Sequence, residues 1–167
     1  MRRLAPLAAL LLLAGCGLQP LYGGGGHGVA ARSLSDIEVG PIAGRAGWLL
    51  RTALEDRLGA AGKGTARYRL EVELDDQVTG IGIRPDDAVT RERRTLRARY
   101  RLRDIETGTL LVDATAGSDV GIDVVTSEYA TIAAEQTALE NLSSEVADQI
   151  VTRIALHNRQ VGVAGAK

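Results

Sequence analysis
Residues 67–75 alternate without a break, with Tyr68, Leu70, Val72 and Leu74 on one side and Arg67, Arg69, Glu71, Glu73 and Asp75 on the other. A period of two is the signature of a strand with one buried face. Residues 91–103 repeat the device: Leu96, Ala98, Tyr100 and Leu102 point inward, while Arg91, Arg93, Arg97, Arg99, Arg101 and Arg103 point outward. Glu106 to Thr109 reads Glu-Thr-Gly-Thr, a turn, after which Leu110, Val112, Ala114 and Ala116 begin a third alternating strand that runs towards Asp119. A loop around residues 80–87 joins the first two strands, so the three form an antiparallel meander. Upstream, Ile37 and Val39 stand in period two before Gly40-Pro41 and predict a short strand within residues 35–41.

Two segments follow a helical period instead. Within residues 45–58, Leu50, Leu54 and Leu58 recur every four positions with Ala46 and Ala53 beside them, while Arg45, Arg51, Glu55 and Arg57 fall largely elsewhere on the wheel. Gly59, Gly62 and Gly64 supply the stop. Residues 127–159 hold neither glycine nor proline, and Tyr129, Ile132, Leu139, Leu142, Val146, Ile150 and Ile154 fall at helical steps. Thr126 or Ser127 is the candidate N-cap, and Arg153, His157 and Arg159 sit where positive charge suits the C-terminal dipole. The order β-α-β-β-β-α predicts an α+β two-layer sandwich: a mostly antiparallel four-stranded sheet with both helices on one face and the arginine face left open.

The N-terminus has a different character. Met1-Arg2-Arg3 is a short basic start, residues 4–13 are apolar, and Ala14-Gly15 are the small residues expected before a cleavage site. The apolar stretch is about half the roughly 20 residues needed to span a bilayer, so residues 1–15 read as a removable export signal. Leu13-Ala14-Gly15-Cys16 matches the bacterial lipobox, in which the cysteine carries a diacylglyceryl thioether and an N-acyl chain; the alternative is an ordinary signal peptide with an incidental cysteine. Several acyl chains on one residue give an anchor that does not readily dissociate. Residues 16–34 then form the lipidated cysteine and a tether, since Gly23 to Gly28 carries almost no side chains and is costly to order. Residues 35–159 form the folded domain and residues 160–167 a disordered tail.

With 167 residues the chain has one domain's worth of length, and a formal charge of −1 gives no electrostatic reason to expect nucleic acid. Aromatics are 3% and phenylalanine is absent, so Leu, Val, Ile and Ala must supply the packing. A single cysteine excludes an intramolecular disulfide and a thiolate zinc cluster. Hydrolytic chemistry is poorly served: His27 lies in the glycine tether, His157 lies near a helix end, and Asp75-Asp76 and Asp86-Asp87 read as solvated turn residues. No HExxH, CxxC, GxGxxG or P-loop occurs, and Gly80-Ile81-Gly82 lacks the rest of a nucleotide fingerprint. The expectation is a binding or assembly module, with no catalytic residue, no metal and no cofactor beyond the chains on Cys16.

The outward arginines are the feature that demands an answer, because like charges along one strand repel unless something negative faces them. Three answers stand open. Glu71, Glu73 and Asp75 on the neighbouring strand can pair with them; an anionic ligand such as phosphate can take bidentate guanidinium contacts; or a protein partner can cover the face. Arg94 is the exception in the row, since alternation turns it towards the helices, where a lone charge is costly. Arg91, Arg93, Arg94, Arg97, Arg99 and Arg101 are therefore the candidate residues for an anionic ligand or a partner.

The lipobox followed by Gly-Leu-Gln-Pro-Leu-Tyr-Gly over residues 17–23, together with element order and length, resembles the lipopolysaccharide-assembly lipoprotein family, LptE, of the alphaproteobacterial type. That resemblance implies a plug-like domain inside the large β-barrel LptD, which it helps to assemble, and assistance in delivering lipopolysaccharide to the outer leaflet. It implies no enzymatic activity, and it implies lipopolysaccharide and LptD as partners. It also implies an outer-membrane location, which Gly17 in place of Asp after the cysteine favours. The competing reading is another outer-membrane lipoprotein acting as an envelope-transport accessory or a lipid-binding module.

Overall fold
The computed structural model describes residues 34–59, 66–83 and 89–164. Cys16, the glycine tether with His27, Asp86-Asp87 and the last three residues lie outside that range. Six elements follow in order: β1 (Ile37–Val39), α1 (Gly44–Leu58), β2 (Tyr68–Ile83), β3 (Val89–Asp104), β4 (Leu110–Asp123) and α2 (Glu128–Ala164). The sheet order is β1-β2-β3-β4. β2, β3 and β4 pair antiparallel as a meander, whereas β1 pairs parallel to β2 through Ile37↔Tyr68 and Val39↔Leu70. The sheet is therefore mixed, because a helix between β1 and β2 returns the chain to run in the same direction.

Alternation places the inner face of the sheet. Leu70 of β2 and Leu96, Ala98, Tyr100 and Leu102 of β3 are fully buried. They pack against Leu50, Leu54 and Leu58 of α1 and against Leu139, Leu142, Val146, Ile150 and Ile154 of α2, so both helices cover the same face. Each such side chain contributes about 1.5–3 kcal/mol by leaving water. α1 stops where its sequence says it should: Gly59 adopts φ 67°, a left-handed value that a side chain disfavours, and its N–H donates to the Glu55 carbonyl. At the start of α2, the Ser127 carbonyl accepts from the N–H groups of Ala130 and Thr131.

The elements run longer than the sequence pattern. β2 and β3 continue as a ladder to Ile83↔Val89, where a loop was expected from residue 80. Residues 77–80 are exposed on both faces, so nothing enforces the apolar alternation that marks a half-buried strand. α2 likewise runs on to Ala164, taking in part of the expected 160–167 tail. Two apolar positions differ from expectation. Tyr129 is 88% exposed and Ile132 is exposed, since the first buried residue of α2 is Ala138. Leu110 is exposed because the β3–β4 register shifts between Leu102 and Arg103, which takes it out of the inward row.

Candidate functional site
The face opposite the helices is built from odd-numbered positions of three strands. β3 carries the arginines down the centre. β2 brings Glu71, Glu73 and Asp75 on one side, and β4 brings Asp113, Asp119 and Asp123 on the other. A column of cations thus lies between two columns of anions.

The ion pairs run largely on the diagonal. Arg103 Nε donates to Glu71 at 3.4 Å and Arg101 Nη1 to Glu73 at 3.0 Å. Arg99 donates twice to Asp113, from Nε at 3.2 Å and Nη2 at 3.1 Å, while Arg101 Nε stands 3.7 Å from the same carboxylate. Arg93 lies 3.6 Å from Asp119 and Arg91 3.3 Å from Asp123. At the sheet edge Arg69 reaches Glu38 of β1 at 3.2 Å. Hydrogen bonding from Arg99 holds the Asp113 carboxyl below the usual carboxylate range and raises the Arg99 guanidinium in turn. These groups are exposed, so screening by water leaves each pair adding little stability. Their consequence is that the face carries balanced rather than net positive charge.

Arg97 departs from the pattern. Asp75 is its direct partner in the register, yet both Asp75 carboxylate oxygens accept from Gln77 Nε2, at 3.0 and 3.1 Å. Among the described residues Arg97 forms no ion pair. Its side chain lies across Gly117, where an added Cβ would stand 3.2 Å from Arg97 Cγ and 3.1 Å from the Leu96 carbonyl. A shallow hollow of about 230 Å³ opens there, lined by Arg97, Thr95, Thr115 and Asp119 among others. With Asp119 engaged by Arg93, the hollow offers one unengaged guanidinium and the hydroxyls of Thr95, Thr115 and Ser118. That set suits an anion better than a catalytic reaction.

Arg94 faces the helices, as alternation requires, and it is not alone. Its Nε and Nη2 donate to the Asp76 carboxylate at 2.8 and 2.6 Å, and its Nη1 donates to the Glu135 carbonyl of α2 at 3.1 Å. The hydrogen bonds that Arg94 donates to Asp76 raise its guanidinium above its ordinary value. Arg94 therefore braces β2, β3 and α2, on the opposite side of the sheet from the other five candidates.

Of the six arginines singled out by sequence, five share the open face, four of those five are paired, and Arg97 is the one left to act. Sequence reasoning offered only the β2 acids as partners. Asp113, Asp119 and Asp123 are spaced by even steps in phase with the arginines, a signal that was present in the pattern. That Gln77 would take Asp75 was not legible. Among the described residues no group of three or more His, Cys, Asp or Glu could hold a metal, and no helix is long and apolar enough to cross a membrane.

The family described as LptE, lipopolysaccharide-assembly, matches residues 34–154. Among solved structures, a protein from Caulobacter crescentus CB15 described as a lipoprotein superposes with a TM-score of 0.65 at 29% identity, over 76% of this chain and 93% of that one. Rare lipoprotein B from Shewanella oneidensis gives 0.58 at 11% identity, over 75% and 98%. A minor lipoprotein from Acinetobacter baumannii gives 0.58 at 15% identity, over 73% and 91%; at these identities the two speak for the fold alone. No curated protein matches the sequence.

Proposed function
Because the chain belongs to the LptE family of lipopolysaccharide-assembly lipoproteins, we propose that it is anchored in the outer membrane through acyl chains on Cys16, plugs and helps assemble the LptD β-barrel, and assists lipopolysaccharide delivery to the outer leaflet. The observation that carries this reading is the family match across nearly the whole folded domain. The surface chemistry is compatible with it. A large barrel has a polar interior, and the open face of this sheet is, among the described residues, largely a wettable lattice of paired charges. The domain acts by contact and not by bond-making, which the absence of a positioned nucleophile and base in the sequence supports.

Within that role Arg97 is the residue assigned to an anionic group of lipopolysaccharide, because its neighbours on the row are engaged by acids. Purification of the full chain from membranes in mild detergent is expected to recover a large β-barrel polypeptide. Recovery of inner-membrane transporter subunits alone would replace this reading with that of an envelope-transport accessory. Arg97→Glu is expected to weaken lipopolysaccharide binding about tenfold, the loss of one charge-assisted contact, whereas Arg99→Glu should also cost the pairs to Asp113.

A further inference from the structure
The free edge of β4 carries a feature that neither the family nor the arginine face explains. β4 is the last strand of the sheet, so among the described residues one side of its 14 residues has no strand beside it. At its middle the Gln149 carboxamide of α2 sits where a neighbouring strand would be: the Gly117 N–H donates to Gln149 Oε1 at 3.2 Å, and Gln149 Nε2 donates to the Gly117 carbonyl at 3.3 Å. One side-chain amide thus reproduces the pair of hydrogen bonds that an opposing residue makes in an antiparallel ladder.

The contact also fixes which backbone groups face outward. Gly117 is the register partner of Arg97 yet spends its N–H and carbonyl away from β3. Residues two and four positions along, Thr115 and Asp113, share that orientation, because the β3–β4 register is regular through this stretch. Beside them, between β4 and the C-terminal half of α2, runs a groove of about 400 Å³. Val112 and Ala114 form its floor on the inner side, and Leu156, 45% exposed, forms an apolar wall. Arg153, which has no acidic partner among the described residues, stands at the same wall.

An unpaired strand edge beside a helix, with a groove of mixed character between them, in which Val112, Ala114 and Leu156 are apolar and Arg153, His157 and Gln160 polar, is how sheets capture extended peptides: the edge supplies backbone hydrogen bonds and the groove takes alternate side chains. We infer that the β4 edge from Leu111 to Thr115 binds an extended peptide segment of a protein partner, antiparallel to β4, with apolar residues entering the groove beside Leu156 and a carboxylate meeting Arg153. Gln149 closes the site at Gly117 and keeps the rest of the edge from adding a strand. A cationic wall selects an acidic or C-terminal segment. Thr115 and Gly117 also border the hollow beside Arg97, but the inference is separable from the barrel-plug reading because it is tested without barrel or lipopolysaccharide.

The experiment is amide hydrogen exchange of the full chain in detergent micelles, with and without an acetylated hexapeptide of alternating threonine and valine that ends in a free carboxylate. At about 1 mM peptide, exchange at Asp113 and Thr115 is expected to slow about fivefold or more while Gly117, already capped, is unchanged. Thr115→Pro removes an edge donor without touching the ladder to β3, a position where proline is tolerated, and should abolish the protection; Leu156→Glu should do the same by filling the groove with charge. Unchanged exchange at that concentration, or equal protection in both variants, overturns the inference. So does protection of the same amides without peptide that rises with protein concentration, which would assign the edge to a second copy of this chain.

Discussion

Asp76→Ala is expected to damage this protein more than its partly exposed position midway along β2 suggests. The carboxylate it removes is the main partner of Arg94, whose side chain is only 13% exposed, and Asp76 itself is 24% exposed. With Asp76 gone, Arg94 keeps one hydrogen bond, to the Glu135 carbonyl, and a cation beneath α2 stands without a counter-charge. Breaking a buried pair from one side costs about 3–5 kcal/mol, and the partial access of water here places the loss at the lower end, about 3 kcal/mol. Arg94→Met should cost less, about 1–2 kcal/mol, because the surviving carboxylate is the better hydrated of the two. The double variant, Asp76→Ala with Arg94→Met, leaves no charge to solvate and an apolar stem in place of the guanidinium. It should lie within about 1 kcal/mol of the parent. Urea unfolding followed by circular dichroism reads these differences as shifts of the midpoint, about 1.5 M for the first variant at a slope near 2 kcal/mol per M. A double variant as unstable as the sum of the singles, or a neutral Asp76→Ala, would refute the view that this pair braces β2, β3 and α2 through charge compensation.

Further outcomes are specific enough to measure. Gly47→Ala in α1 should destabilise by about 2 kcal/mol although alanine is the better helix former by about 1 kcal/mol, because the new Cβ would stand 2.6 Å from the Ile42 carbonyl oxygen and backbone must move; a rise in unfolding midpoint would contradict that contact. The Asp104 carboxyl is held low chiefly by the Thr107 backbone N–H, and Asp113 and Asp148 by Arg99 and Arg57. Each titrates below its unfolded value of about 3.9, so the stability it brings is whole above that pH and is lost as pH falls through the lower folded value. Stability should therefore drop steeply below about pH 4, and Asp104→Asn should flatten the drop; an unchanged acid profile in that variant would count against the assignment. Cys16→Ala should leave an unlipidated chain that is uncleaved or soluble on membrane fractionation, whereas a correctly processed, membrane-bound variant would remove the lipid anchor from the account.

Where apolar periodicity was enforced by a buried face, the sequence was a good guide to the fold. Leu96, Ala98, Tyr100 and Leu102 had to point one way, and Leu139, Leu142, Val146, Ile150 and Ile154 had to meet them, so the two layers and their order followed. Legibility failed where burial did not act. β2 beyond Asp76 lacks a buried face to enforce alternation, and the first turns of α2 pack too little to make Tyr129 an inward residue. The parallel direction of β1 depends on a crossover that three residues of strand cannot announce. At the site, alternation identified the arginine face, but charge on one strand says nothing of the strand two places along. Asp113 meets both Arg99 and Arg101 only because β4 folds back beside β3, and Arg97 stands apart only because Gln77 captures Asp75.

The most direct test of the proposal that this domain plugs a β-barrel, with its open sheet face towards the wall, is photo-crosslinking in living cells from a benzoylphenylalanine placed at Thr95, beside Arg97. The account predicts a single large adduct between this chain and a β-barrel polypeptide of the outer membrane, lost when the reporter is moved to the exposed position Glu140 on α2, the other layer of the domain. An adduct pattern indifferent to that move, or no barrel adduct from Thr95 in a chain that is correctly folded and anchored, would contradict it.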